Sequence, residues 1–151
     1  MKQKVVVFSQ IDATVLDQLE RDYHVVVLNP KQGDINEQIR TEVVDADAMI
    51  GAGRLLNETN LAPAQQLKII STVSVGYDNY DVDYLTKNNI WLANTPHVLT
   101  ETTADLAFTL LVSAARKVPE LDQWTKQGEW KRTVGPAQFG QDIFGKTLGI
   151  I

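Results

Sequence analysis

Val75 and Gly76 are the residues with the clearest potential for chemistry, because they follow a short apolar stretch and open a loop. Residues 67–75 are rich in leucine, isoleucine and valine, which predicts a strand that is buried on both faces. Gly76 would let the backbone turn sharply and bring two successive main-chain N–H groups to an open surface. Ligands of open parallel sheets bind outside the carboxyl ends of the strands, so these N–H groups predict a carboxylate site. The alternative interpretation is an ordinary turn between a strand and a helix.

A second glycine loop, Gly51-Ala52-Gly53-Arg54, follows another short apolar run. A dinucleotide-binding fingerprint would require a third glycine, and Leu56 stands at that position. We therefore interpret this loop as a flexible lip, from which Arg54 and Leu55 lean toward a ligand at the strand ends. The alternative for Arg54 is an arginine that is only solvated.

Other kinds of chemistry find little support in the composition. The chain has no cysteine, and its two histidines are far apart in sequence, which argues against a metal site. We interpret His24 as a structural residue and His97, which follows a proline, as a turn residue. The formal charge of −5 gives no basic surface for nucleic acid.

The sequence also predicts neither a membrane span nor a signal peptide. No apolar run approaches the roughly 20 residues of a membrane span, and the four apolar residues after Lys4 are too few for a signal peptide. The absence of cysteine fits a cytoplasmic protein, which is the location that we expect.

The elements that must position the loop residues alternate between strands and helices. Apolar runs predict strands near residues 5–8, 24–28, 48–51, 67–75 and 90–93, with amphipathic helices between them. Asp12 and Asp81 are predicted helix caps. This alternation predicts an α/β fold with a parallel, doubly wound sheet, and the flavodoxin-like strand order 2-1-3-4-5 is the most economical arrangement.

Residues 100–117 depart from this alternation. Thr100 is a predicted cap of a helix that is apolar nearly all round, so a second domain or a second subunit must cover it. A shorter helix at residues 120–127 carries Trp124. Residues 146–151 resemble the beginning of a strand, which indicates a chain that has been cut.

Four blocks of residues, taken together, carry a family resemblance. They are Ser-Val-Gly-Tyr-Asp-Asn-Tyr-Asp at 74–81, Asn-Thr-Pro at 94–96, Thr-Glu-Thr-Thr-Ala-Asp at 100–105 and Gly-Glu-Trp at 128–130. In order and spacing they resemble the D-isomer-specific 2-hydroxyacid dehydrogenases. The most similar branch is that of the bacterial glyoxylate/hydroxypyruvate reductases, which are also described as 2-ketogluconate reductases.

The resemblance implies a division into two parts. Residues 1–99 would form a flavodoxin-like substrate-binding domain. Residues 100–151 would contain a long crossing helix, a dimerisation arm and the first strand, at residues 146–151, of a truncated Rossmann domain. The arginine, glutamate and histidine that catalyse the family's reaction would lie further along, so the resemblance assigns no catalytic residue to this chain. We therefore expect the chain alone to be inactive.

The resemblance also implies roles for single residues. Val75 and Gly76 match the N–H pair that holds the substrate carboxylate, and Leu55 matches the loop that roofs the substrate pocket. Thr103 matches a position close to the phosphates or ribose of the cofactor, which would be NAD or NADP. Two further elements match parts of the family fold that pack against a second subunit, so a homodimer is expected. They are the helix over residues 100–116 and the arm over residues 124–130.

Two questions stay open at this stage. Some relatives carry a second tryptophan beyond the one that matches Trp130, whereas this chain has Lys-Arg-Thr-Val at 131–134. Glyoxylate, hydroxypyruvate and 2-ketogluconate therefore all remain possible substrates of a 2-keto acid reductase. The rival hypothesis is a stand-alone flavodoxin-like module that binds a carboxylate or dimerises without chemistry.

Overall fold

The computed structural model describes residues 2–150. The chain divides into two compact units, with the boundary between Val98 and Leu99.

The first unit contains one sheet of five parallel strands. The strands are β1 (Lys4–Val7), β2 (His24–Val27), β3 (Ala48–Gly51), β4 (Ile69–Thr72) and β5 (Trp91–Ala93), in the order 2-1-3-4-5. All four pairings are parallel. This confirms the predicted α/β fold and strand order, and it brings the carboxyl ends of all five strands to one edge.

Four helices connect the strands: α1 (Ala13–Asp22), α2 (Ile35–Glu42), α3 (Glu58–Leu61) and α4 (Val82–Lys87). Two of them begin at the predicted caps. The carboxylate of Asp12 accepts a hydrogen bond from the N–H of Thr14 (2.8 Å), and that of Asp81 accepts one from the N–H of Tyr84 (3.0 Å). Both bonds satisfy N–H groups that a first helical turn leaves without partners.

The core packs apolar side chains of the sheet, among them Phe8, Met49 and Ile70, against Ile39 of α2 and Leu85 of α4. The prediction that the fourth strand is buried on both faces is wrong. Ile70 and Thr72 are buried, whereas Ile69 on the opposite face is 39% exposed. Successive side chains of a strand point to opposite faces, and within this unit only one of those faces belongs to the core.

The second unit contains α5 (Thr100–Ala115), α6 (Val118–Lys126) and a 3₁₀ turn at Pro136–Gln138. The rings of Trp124 and Trp130 stack with their centroids 6.5 Å apart. The capping role predicted for Thr100 is wrong: Leu99 occupies the position before the helix, and no side chain caps it. Thr100 already lies in the first turn, so its hydroxyl is not placed to cap that turn.

The predicted strand at residues 146–151 does not form over residues 146–150, and Ile151 lies outside the described residues. A strand requires hydrogen bonds to a neighbouring strand, and no partner strand pairs with this segment in the part of the chain that the structure describes. None of the helices within residues 2–150 has the length and apolar composition required to cross a membrane. The same residues contain no cluster of histidine, aspartate and glutamate that could hold a metal ion.

Candidate functional site

The loop at the carboxyl end of β4, residues 73–79, is the candidate site. Its first residue is anchored to β3, because the N–H of Val73 donates to the carbonyl oxygen of Gly51 (2.9 Å). Its far end is anchored to the segment after β3, where the N–H of Leu56 donates to the carbonyl oxygen of Asn79 (2.8 Å). The loop is therefore held at one end by β3 and at the other by the segment that follows β3.

Three successive carbonyl oxygens of this loop accept hydrogen bonds from the protein itself. The oxygen of Ser74 accepts from the N–H of Thr95 (3.0 Å), and that of Val75 accepts from the side-chain amide of Asn94 (2.9 Å). The oxygen of Gly76 accepts from the hydroxyl of Ser74 (2.7 Å). These bonds fix the orientation of the peptide groups, because each carbonyl has a defined partner.

The N–H groups of Val75 and Gly76 have no acceptor in the described part of the chain. Both residues are exposed, with Val75 at 41%. Two adjacent donors on an oriented backbone, with their carbonyls engaged elsewhere, form a cradle for an anion. A carboxylate is well suited to it because a charged acceptor makes a stronger hydrogen bond to an N–H group than a neutral one does.

The role of the glycine at position 76 follows from its backbone conformation and its surroundings. Its φ does not lie in the left-handed region, unlike those of Gly33, Gly53, Gly128 and Gly145. A Cβ built on Gly76 would meet only the carboxylate oxygen of Asp78, at 3.5 Å. The turn at Gly76 therefore does not depend on a left-handed glycine backbone, and the bonded carbonyls hold the loop in its conformation. What the missing side chain does provide is open space beside the two N–H groups.

Hydroxyl groups lie beneath the loop. The buried hydroxyl of Thr72 is 2.6 Å from that of Ser74, which in turn donates to Gly76. Burial raises the pKa of Tyr80, and the hydroxyl of Thr72 acts in the opposite direction. Tyr80 is therefore neutral at physiological pH, and it places no charge under the loop.

The lip predicted for Arg54 and Leu55 lies at the same edge of the sheet. Leu56 pairs with the chain just beyond the loop, and the N–H of Asp81 donates to the Leu56 carbonyl oxygen (3.0 Å). Leu55, which is 60% exposed, thus precedes a residue that is tied to the candidate site. Arg54 instead lines a separate cavity, to which neither Val75 nor Gly76 contributes.

Both glycines of the lip have structural explanations. A Cβ on Gly51 would lie 2.7 Å from the ring of Phe8, so only glycine allows this close packing. Gly53 has a φ of +70°, which favours glycine. These roles agree with the interpretation that the loop is not a dinucleotide-binding fingerprint.

Thr103 lies in the first turn of α5, in the second unit, and its N–H donates to the carbonyl oxygen of Leu99 (2.9 Å). A helix N-terminus favours an anionic group such as a phosphate, although Glu101 in the same turn opposes it. His97 is exposed in a turn with a φ of +66°, and His24 is the first residue of β2. The predicted turn position of His97 is confirmed, and the structural role of His24 stays a prediction.

Sequence reasoning missed Asn94 and Ser74, which orient the loop. A signal for Asn94 was present: it follows β5, and β5 is next to β4 in the predicted strand order. Polar residues after neighbouring parallel strands meet at one edge, so Asn94 could have been placed beside Val75.

Comparison with known proteins identifies the family of this chain. Residues 5–144 match the model of the D-isomer specific 2-hydroxyacid dehydrogenase catalytic domain. Glyoxylate/hydroxypyruvate reductase B of Serratia proteamaculans is 38% identical over 151 residues, which are 100% of this chain and 46% of the relative. The protein of the same name from Escherichia coli K12 is 38% identical over 154 residues, covering 100% of this chain and 47% of the relative.

Solved structures agree. An NADPH-dependent glyoxylate/hydroxypyruvate reductase from Sinorhizobium meliloti, in complex with NADP and malonate, has a TM-score of 0.75 and 27% identity. The match covers 97% of this chain and 45% of that one. The TT0316 protein of Thermus thermophilus has a TM-score of 0.76 and 31% identity, with 93% and 46% covered. The chain spans about half the length of the relatives that it matches, and it belongs to the D-isomer specific 2-hydroxyacid dehydrogenase family.

Proposed function

We propose that this chain is the substrate-binding portion of an NAD(P)H-dependent reductase of small 2-keto acids, and that the N–H groups of Val75 and Gly76 hold the substrate carboxylate. The observation that carries the proposal is the pair of free N–H donors on a loop whose carbonyl oxygens at residues 74–76 are engaged in hydrogen bonds. The names of the relatives support the substrate class, since they are glyoxylate/hydroxypyruvate reductases. Malonate, which is present in the complex from Sinorhizobium meliloti, is also a small carboxylic acid.

The chain's own residues bind and orient the substrate in this proposal. The bonds from Asn94, Thr95 and Ser74 set the direction of the two donors before the ligand arrives, so little reorganisation is needed on binding. Leu55, exposed on the neighbouring segment, would cover the apolar side of the substrate and reduce its contact with water.

The nicotinamide cofactor, NAD or NADP, would supply hydride transfer when bound. Thr103 would lie near its phosphates or ribose, as the free N–H groups of a helix N-terminus suit an anion. We assign the proton donor to no residue of this chain. His24 begins β2 and His97 lies in the turn at residues 96–99, so neither histidine belongs to the loop at residues 73–79.

Amide NMR of the 151-residue chain tests the carboxylate site. Addition of glyoxylate or hydroxypyruvate is expected to shift the amide signals of residues 74–77. Gly76→Ala should fold like the parent chain, because the new Cβ meets one atom at an ordinary distance of 3.5 Å. We expect it to weaken binding by roughly tenfold, which corresponds to about 1.4 kcal/mol, because the methyl group occupies space beside the two donors.

Gly149→Ala is the matched control, since a Cβ there meets nothing within 4 Å and its φ is not left-handed. It should bind as the parent does. Shifts confined to other parts of the chain, or equal affinities of Gly76→Ala and Gly149→Ala, would remove the carboxylate role from this loop.

Turnover by the chain alone is the second test. Because the proposal places no acid/base residue in residues 1–151, we expect no oxidation of NADH or NADPH in the presence of hydroxypyruvate. The assay is the loss of nicotinamide absorbance with purified chain. Reduction of hydroxypyruvate above the rate of a buffer blank would mean that a catalytic group of this chain has been overlooked.

The proposal extends to the assembly and the substrate range. We propose a homodimer in which α5 and the stacked Trp124–Trp130 arm face a second copy, and a cytoplasmic location, which suits a chain without cysteine. Among substrates, 2-ketogluconate stands beside glyoxylate and hydroxypyruvate. A competition series of the three acids, observed on the amides of residues 74–77, would rank them.

A further inference from the structure

A cavity opens at the carboxyl ends of β1, β2 and β3. Its volume is about 560 Å³, within the range of small-molecule sites. The residues that line it belong to the end of β2, to the loops after these strands and to the start of α2, and none comes from the loop at residues 73–79. They are Phe8, Ser9, Gln10, Val27, Leu28, Pro30, Ile35, Ala52, Gly53 and Arg54.

The topology explains why a cavity forms here. The chain leaves β1 to reach β2 on one side, and it later returns to β3 on the other side of β1. Connections that leave in opposite directions separate at this switch point, and open α/β sheets bind ligands in the crevice that results. The hydroxyl of Ser9 accepts a hydrogen bond from the N–H of Ala52 (2.8 Å), which holds the loops after β1 and β3 together at the floor.

One cation lines this cavity, Arg54. Its side chain is partly buried, and within residues 2–150 it makes no ion pair. The N–H groups of Gly53 and Arg54 also have no acceptor in the described part of the chain. The nearby carboxylate of Asp34 is engaged in capping α2, where it accepts from the N–H of Asn36 (3.1 Å). An anion would therefore meet an unpaired guanidinium and free backbone donors.

The opposite wall is apolar. Phe8, Leu28 and Ile35 are buried to more than nine-tenths, and Val27 leaves 49% of its surface exposed at the mouth. A ligand that fits both walls combines a carboxylate with a compact apolar body, because the charge would pair with Arg54 while the body covers the apolar side chains.

We propose that this cavity is an accessory site for a monocarboxylic acid with an apolar body, with Arg54 as its anion-binding residue. The site is separate from the Val75–Gly76 loop and does not depend on the function proposed for it. It also gives Arg54 a role different from that of a lip over the keto acid.

Phenylacetate is a suitable probe, because it joins a carboxylate to a compact ring. In amide NMR of the 151-residue chain, phenylacetate is expected to shift signals of residues 8–10 and 52–54 and to leave those of residues 74–77 unchanged. Phenylacetamide, which has the same body without the charge, and acetate, which has the charge without the body, should each bind at least several-fold more weakly. Hydroxypyruvate in the same samples reports on the other loop, so the two proposals can fail separately.

Variants of the arginine complete the test. Arg54→Gln should weaken phenylacetate binding by roughly tenfold or more, and Arg54→Lys should retain part of it. Arg132→Gln, which removes an exposed arginine of the second unit, is the matched control and should bind as the parent does. Equal binding by Arg54→Gln, equal binding of phenylacetamide, or shifts located away from residues 8–10 and 52–54 would each overturn the proposal.

Discussion

Asn94 and Ser74 orient the same loop through different atoms, an amide nitrogen and a hydroxyl. At the residue scale, we expect Asn94→Ala to lower the affinity for glyoxylate several-fold, because the Val75 carbonyl loses its partner and the two N–H donors lose their fixed direction. The free energy of unfolding should fall by about 0.5–1.5 kcal/mol, the usual value of one such bond. Amide NMR titration and chemical denaturation measure the two effects.

Asn88→Ala separates orientation from stability. The side-chain amide of Asn88 donates to the carbonyl oxygen of Tyr84 (2.8 Å) at the end of α4, a bond of the same kind as that of Asn94. It should cost similar stability and leave glyoxylate affinity unchanged. If both variants lost affinity equally, the effect of Asn94 would be one of general stability.

At the scale of elements, Asp47 connects three strands where they begin. Its carboxylate accepts from the N–H of Lys4 (3.0 Å) at β1 and from the ammonium of Lys68 (3.1 Å) before β4. These two contacts, the first being the larger, lower the pKa of Asp47. A folded pKa below the unfolded value of about 3.9 means that the ionised carboxylate stabilises the fold above that value. The contribution is lost as the pH falls through the folded pKa.

We therefore expect Asp47→Asn to be less stable than the parent chain near neutral pH, and the difference to shrink as the pH falls below about 4. Urea denaturation of both chains between neutral pH and pH of about 3 measures the difference. Asp17→Asn, at an exposed position of α1, is the control for removing one negative charge. A difference between parent and Asp47→Asn that stayed constant over this range would contradict the assigned pKa direction.

At the scale of the whole molecule, α5 exposes large apolar side chains that include Leu106, Phe108 and Leu110, each more than half exposed. Exposed apolar surface of this extent favours association. We expect sedimentation to show that the parent chain is a dimer. Phe108→Glu should raise the dissociation constant of the dimer at least tenfold, because the substitution would bury a charge at the contact. Thr59→Glu, at an exposed position of α3, adds the same charge and should leave the dimer intact. A parent chain that sediments as a monomer would refute dimerisation through α5.

Much of the fold could be predicted because its signals are local. Runs of valine and isoleucine mark the strands, Asp12 and Asp81 mark helix starts, and the rules for parallel connections restrict the strand order. The errors occurred where the outcome depends on neighbours. Ile69 is exposed because the face it occupies lies outside the core, and residues 146–150 form no strand because no neighbour pairs with them.

The sequence by itself determined the sheet, its strand order and the position of the loop at Val75 and Gly76, for which we propose carboxylate binding. It did so because hydrophobic periodicity and strand ends are properties of consecutive residues. Only the tertiary structure decided which donors remain free and which side chain lines which cavity. Asn94 reaches Val75 across 19 positions of chain, and Arg54 lines a cavity with Phe8 and Leu28. Such contacts join residues that are distant in sequence, so they depend on the packed fold.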